Sequence, residues 1–226
     1  MEKLVYLIFH EADHPGQELR AGLIEKAAPA LRTAGASQIA VNVHDEDTAA
    51  GSPIRKSDPP IRAMVSFWLQ NADDRDPCSD ALAAHAKRLA GYLVVESRPI
   101  IHEMAVGQRT PGMNQVTCIN RRPDLPYEDF IQIWHVDHKV VAVETQSTVG
   151  YVRNVVVRAL TEGAPAFDGI VEETFPIEAL SDPHVFYGAA SKEEFKANLA
   201  RMIESCQRFL DFEPLETTHM SEYYLG

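Results

Sequence analysis

Hydrophobic and polar positions follow two periods along this chain. Lys3 to His10 alternates in a β-rich run and predicts a strand. Leu19 to Leu31 is rich in Ala and Leu with charges interleaved. Gly35 follows as a stop, so this stretch predicts a helix. Ser37 to His44 and Ile61 to Leu69 predict two more strands. Residues 45–60 between them (DEDTAAGSPIRKSDPP) have the composition of a loop. A second helix is expected over Asp80 to Leu93, with a short fourth strand near Ile100 to Met104. Residues 105–114 (AVGQRTPGMN) read as a linker punctuated by Pro111 and Gly112.

The order then recurs. Gln115 to Asn120 predicts a strand, and Pro126 to about Gln146 a helix, with Pro126 suited to its first turn. Strands follow at Tyr151 to Val157 and Ile170 to Phe175, separated by a loop over residues 158–169. A helix is expected over Lys192 to Leu210 and a last strand over Thr217 to Tyr224. The offset between equivalent elements is about 110 residues, the period of a duplicated domain and not of a solenoid. Each unit, 1–110 and 114–226, reads β-α-β-β-α-β, the ferredoxin-like split motif, with an antiparallel sheet and both helices on one face. Along Tyr151 to Val157 neither face is clearly polar, so the face away from the helices also needs a cover. The simplest cover is the other unit's sheet. The expected fold class is α+β: two tandem ferredoxin-like units packed sheet to sheet as an intramolecular barrel.

One helical stripe carries an exception. Tyr127, Phe130, Ile131, Trp134, His138 and Val141 share a face. A titratable imidazole, His138, therefore sits within an apolar stripe. Such a histidine is either a satisfied core group or the working group of a pocket.

Composition narrows the partners. The chain has 226 residues and a net charge of -12, which argues against a nucleic-acid or anionic-membrane surface. No stretch approaches the roughly 20 apolar residues of a membrane span. Cys78, Cys118 and Cys206 are far apart and odd in number, which fits a reducing compartment better than a disulfide scaffold or a zinc site. The opening MEKLVYLIFHEADH lacks the basic start and long apolar core of a secretory signal. A cytoplasmic location is expected, and exposed sheet edges make a homodimer an expectation too.

The second unit resembles the EthD family of the dimeric α+β barrel superfamily. The residues that carry the resemblance are Trp134-His135-Val136-Asp137-His138, then Gly150-Tyr151-Val152-Arg153-Asn154, then Ala166 to Glu172, and last Arg208-Phe209-Leu210-Asp211. The stretch covers roughly residues 114–226. The first unit's helix, LRAGLIEKAAPALRTAG, has neither Trp nor His, so one site per chain is expected. The resemblance implies chemistry on small organic compounds, often beside oxygenases, and relatives that act without a cofactor as cyclases, isomerases, decarboxylases or monooxygenases.

The candidate residues follow. His138 is the candidate acid or base, since an imidazole with pKa of about 6.5 suits proton transfer at neutral pH. Glu172 matches the family stretch and would orient it. In Glu172-Glu173 the two side chains point to opposite faces of a strand, so at least one carboxylate is enclosed if both faces are covered. Trp134 and Tyr151 would form the pocket wall, the Tyr151 hydroxyl donating to a bound carbonyl. Asp168 belongs to the candidate substrate-binding set, although Asp168-Gly169 is also ordinary turn chemistry. His135 and His138 lie three residues apart beside Asp137, a spacing a metal could use, but H-E-x-x-H is missing and no metal is expected. Nucleotide and flavin fingerprints and a serine-nucleophile elbow are missing, so no cofactor is expected either. The leading expectation is a small-molecule enzyme with cofactor-free acid/base chemistry. The alternative is a non-catalytic binding or accessory protein of a degradation pathway.

Overall fold

The computed structural model describes residues 1–226. Eight strands form: β1 Glu2–Phe9, β2 Ser37–Val43, β3 Ile61–Leu69, β4 Arg88–Ile100, β5 Met113–Arg121, β6 Gly150–Ala159, β7 Gly169–Phe175 and β8 Leu210–Tyr224. They close into one barrel in the order β1-β3-β2-β8-β5-β7-β6-β4, antiparallel at every pairing. The first half runs β4-β1-β3-β2 and the second β8-β5-β7-β6. The halves join edge to edge, β2 on β8 and β4 on β6. The expected intramolecular α+β barrel forms, but its two sheets meet edge to edge and not only face to face. Hydrogen bonding at both junctions removes all four free edges. No helix is long and apolar enough to cross a membrane.

Helices cover the outside: α1 (residues 16–33) and α2 (Asp76–Ala83) on the first half, α3 (residues 127–145), the short α4 (Pro183–Phe186) and α5 (Lys192–Gln207) on the second. Both long helices of the β-α-β connections contain a six-residue π-helical segment, Gly22–Ala27 in α1 and Ile133–His138 in α3. Such i→i+5 segments are rare in helices and recur at functional positions.

One cluster joins Val5, Leu7, Val116, Cys118, Ile170 and Met220, with no helical residue in it. It therefore fills the barrel interior. A second cluster packs Leu23, Ala27 and Leu82 onto Leu4, Tyr6 and Phe67, outside the barrel. Adjacent residues of β1 thus bury opposite faces, which is why residues 4–9 are apolar throughout. Beyond its apolar layer the interior turns polar. Lys3 Nζ lies 2.5 Å from Glu96, 2.9 Å from Asn154 Oδ1 and 3.5 Å from Glu172.

The helix expected over Asp80 to Leu93 is corrected. It spans Asp76–Ala83, and Arg88–Ile100 is the strand β4. The Ala-rich run favours a helix locally, but pairing with β1 and β6 overrides propensity. Gly91 marks the pairing. It sits opposite Tyr6, and a Cβ there would lie 2.5 Å from the Tyr6 ring. Similarly, α5 stops at Gln207 and β8 begins at Leu210, so residues expected as loop continue the barrel wall.

Candidate functional site

A row of side chains crosses four strands of the second half. His219 on β8 stands opposite Gln115 on β5, Gln115 opposite Glu173 on β7, and Glu173 opposite Tyr151 on β6. All four line a cavity of about 290 Å³ between the barrel wall and helices α3 and α5. Trp134 and His138 enter it from the π-helical segment of α3, and Cys206 from α5. Phe209 and Tyr187 add aromatic wall. The loop after β2, from the first half, closes one side with Ser52 and Ile54. Ile54 is tied to Thr217 by two backbone hydrogen bonds of 3.0 and 2.9 Å.

Burial sets the electrostatics. Glu173 is enclosed, and desolvation raises its pKa to about 7, against the lowering effect of a hydrogen bond from Gln115. A carboxyl near its midpoint at neutral pH can take up or release a proton. The Tyr151 phenol, fully buried and beside Glu173, is pushed well above its ordinary value and keeps its proton. His138 Nδ1 lies 2.9 Å from the hydroxyl of Ser205, and its ring packs 4.8 Å from Phe209. Burial, together with the Arg208 charge, lowers its pKa to about 4. At neutral pH His138 is therefore an uncharged imidazole held by Ser205.

Of the sequence candidates, Trp134, His138 and Tyr151 come together in this cavity. Glu172 does not. It points into the barrel interior, where Asn154 donates to it at 2.9 Å and Lys3 lies at 3.5 Å. The expected Glu172–His138 pair is thereby corrected. On β7, residues 170, 172 and 174 face inward, and 171, 173 and 175 face the helices. The carboxylate on the His138 side of the wall is Glu173. Asp168 also lies outside the cavity. It accepts the Arg121 backbone N–H at 2.9 Å and holds the start of β7 to the end of β5. No group of three or more His, Cys, Asp or Glu side chains is arranged to hold a metal ion. The Nε2 of His135 is buried without a partner, and burial pushes its pKa down to about 4.

Sequence reasoning missed Glu173, Gln115, His219 and Ser205. A signal for Glu173 existed. It shares strand parity with Val171 and Phe175, while Glu172 shares parity with Ile170 and Thr174, and only the neighbouring strands decide which set faces α3. Gln115 and His219 carried no local signal, because cross-strand register brings them to Glu173.

Solved structures share the architecture. An anthrone oxidase-like protein aligns with a TM-score of 0.57 at 11% identity, over 100% of this chain and 93% of its own. A candidate monooxygenase from Lactobacillus acidophilus NCFM aligns with a TM-score of 0.51 at 11% identity, over 100% of this chain and 96% of its own. A candidate chlorite dismutase gives a TM-score of 0.50 at 10% identity, over 97% and 95%. No family model matches the chain, and no curated protein matches it. The likeness establishes the fold alone: an α+β barrel of eight antiparallel strands, closed here within one chain.

Proposed function

We propose that the chain binds a small, largely apolar, oxygen-bearing organic molecule in this cavity and catalyses proton transfer on it, with Glu173 as the base. The observation that carries the reading is an enclosed carboxyl with pKa near 7 directly opposite a protonated tyrosine, in an aromatic-walled cavity. The ionised Glu173 carboxylate takes a proton from a carbon next to a carbonyl. The C–H electron pair passes into the new C=C bond, and the C=O pair moves onto oxygen, where the Tyr151 O–H donates a hydrogen bond. Where the ligand is a β,γ-unsaturated carbonyl compound the enolate is a dienolate, and return of the proton to its γ-carbon completes an isomerisation. The same enolate can attack an electrophilic carbon within the ligand in a cyclisation; in a β-keto acid, loss of CO2 would itself generate such an enolate for the Tyr151 O–H to stabilise. The cavity's largely apolar, aromatic wall lowers the local dielectric and strengthens the donated hydrogen bond.

In this reading His138 is not the base. With its pKa near 4 it is a neutral imidazole that orients ligand or wall. We further read the chain as an EthD-like tandem of two ferredoxin-like units, 1–110 and 114–226, with the site in the second. The shared strand order of the halves and the π segment at the same place in α1 and α3 support this. A binding-only role has one observation in its favour: Ser205 occupies His138 Nδ1.

The test is a thermal-shift screen of small ketones, β-keto acids, lactones and phenols. It is followed by NMR of deuterium exchange at the α-carbon of any compound that binds. Exchange with wild type that is lost in Glu173→Gln, with binding retained, supports catalysis. Binding without exchange in either protein leaves only the binding role.

A further inference from the structure

Gln115 can face Glu173 with either end of its amide, and the choice matters. With nitrogen toward Glu173 the amide donates and favours the carboxylate. With oxygen toward it, the carboxyl must keep its proton to be satisfied. In the structure the amide oxygen is turned toward His219 and the nitrogen toward Glu173. His219 Nε2 lies 3.3 Å from Gln115 Oε1. An amide oxygen only accepts, so Nε2 carries the ring proton and Nδ1 is bare. Nδ1 is buried without a partner, and a Cβ on Gly51 would collide with it. The His219 carbonyl is held in turn by His44 Nδ1 at 2.9 Å. Burial, with His44 nearby, pushes the His219 pKa down to about 4, so the ring is neutral where the site works.

We propose that His219 is a positioning residue for Glu173, acting through Gln115: it turns the amide nitrogen toward the carboxyl and so keeps Glu173 available as a base. This rests on the reading of Glu173 as the proton-carrying group. The other titratable side chains that line the cavity with Glu173 are Tyr151 on β6, His138 on α3, Cys206 on α5 and Tyr187 beyond α4, all uncharged at neutral pH. Gln115 is therefore the neighbour that favours the charged form, and His219 is what orients it.

The experiment is a titration of side-chain ¹³Cδ of glutamate by NMR, with Glu173 assigned from the signal lost in Glu173→Gln. His219→Leu is expected to raise the Glu173 pKa by about one unit, the value of a hydrogen bond to a charged group. Gln115→Leu should raise it alike, and His219→Leu should add nothing in the Gln115→Leu background. His219→Gln, which keeps an N–H donor, should restore the wild-type value. If His219→Leu does not fold, Gly51→Ala displaces the His219 ring while keeping all four residues of the row and should give the same rise. An unchanged Glu173 pKa, or an equal shift with and without Gln115, overturns the proposal. The titration needs no substrate, so it stands or falls apart from the exchange assay of Glu173→Gln.

Discussion

The two halves set the same elements in the same order and do opposite things with the space beneath the helices. In the second half the row under α3 reads His219, Gln115, Glu173. At the matching register of the first half it reads Leu93, Leu4, Phe67. The π segment of α3 presents Trp134 and His138, and that of α1 presents Leu23 and Ala27 at the same steps. Leucine and phenylalanine interdigitate, and the first half packs as one apolar cluster of 20 buried residues, joined only by Leu225 from the other half. Glutamate, glutamine and histidine bring polar groups that must be paired and so hold their distance, and a cavity remains. One half supplies cohesion and the other tolerates the cost of a polar, incompletely filled interior, a division common where activity opposes stability.

The comparison breaks most sharply at Phe67. Phe67→Glu buries a carboxyl with no Gln115-like partner, and urea denaturation at pH 8 should show a loss of at least about 4 kcal/mol. The corresponding change in the other half has the opposite sign. Glu173 titrates near 7 when folded, against 4.5 ordinarily. The carboxyl favours the fold below about pH 4.5, and that contribution is lost as pH rises through about 7. Relative to Glu173→Gln, wild type should lose on the order of 3 kcal/mol over that window; the buried neutral histidines His135, His138 and His219 act in the opposite sense in both proteins and cancel in the difference. Denaturation midpoints at pH 5 and 8 measure both. Next comes Gly169→Ala, whose Cβ would lie 2.5 Å from the Trp134 ring. The ring must move into the cavity, so the variant should lose about 1–3 kcal/mol and shift the tryptophan emission. The smallest effect belongs to Asp168→Ala. It should cost about 1 kcal/mol, read as a small drop in Tm, and leave ligand-induced thermal shifts unchanged.

Strands with apolar residues on both faces were legible, since Lys3 to Phe9 and Ile61 to Leu69 announce themselves by β-rich composition alone. So was the helix that carries Trp134 and His138. The strand β4 was not, because its Ala-rich approach favours a helix and only pairing with Tyr6 and its neighbours reverses that. The site was half legible for a related reason. A helix face follows from spacing within one segment, which brought out Trp134 and His138. A sheet face depends on parity against strands far away in sequence, so Glu172 and Glu173 were separable only once β6 and β7 were paired. Residues such as Gln115 and His219 matter solely through that register.

The polar layer inside the barrel decides which halves can be partners at all. Lys3 and Glu96 come from the first half, Glu172 and Glu222 from the second, and Lys3 bridges the seam to Glu172. Asn114 stands in the second half where Lys3 stands in the first. Two copies of the second half closed on each other would enclose Glu172 and Glu222 from each copy with no lysine among them. A pair of first halves would have Lys3 matched to Glu96 but no acidic row and no cavity. The interior thus works as a lock and key written in charge. The half that bears the site should therefore pair with itself poorly, and expressed as separate polypeptides the two halves are expected to favour unlike pairs, as size-exclusion chromatography of the mixed and separate halves would show.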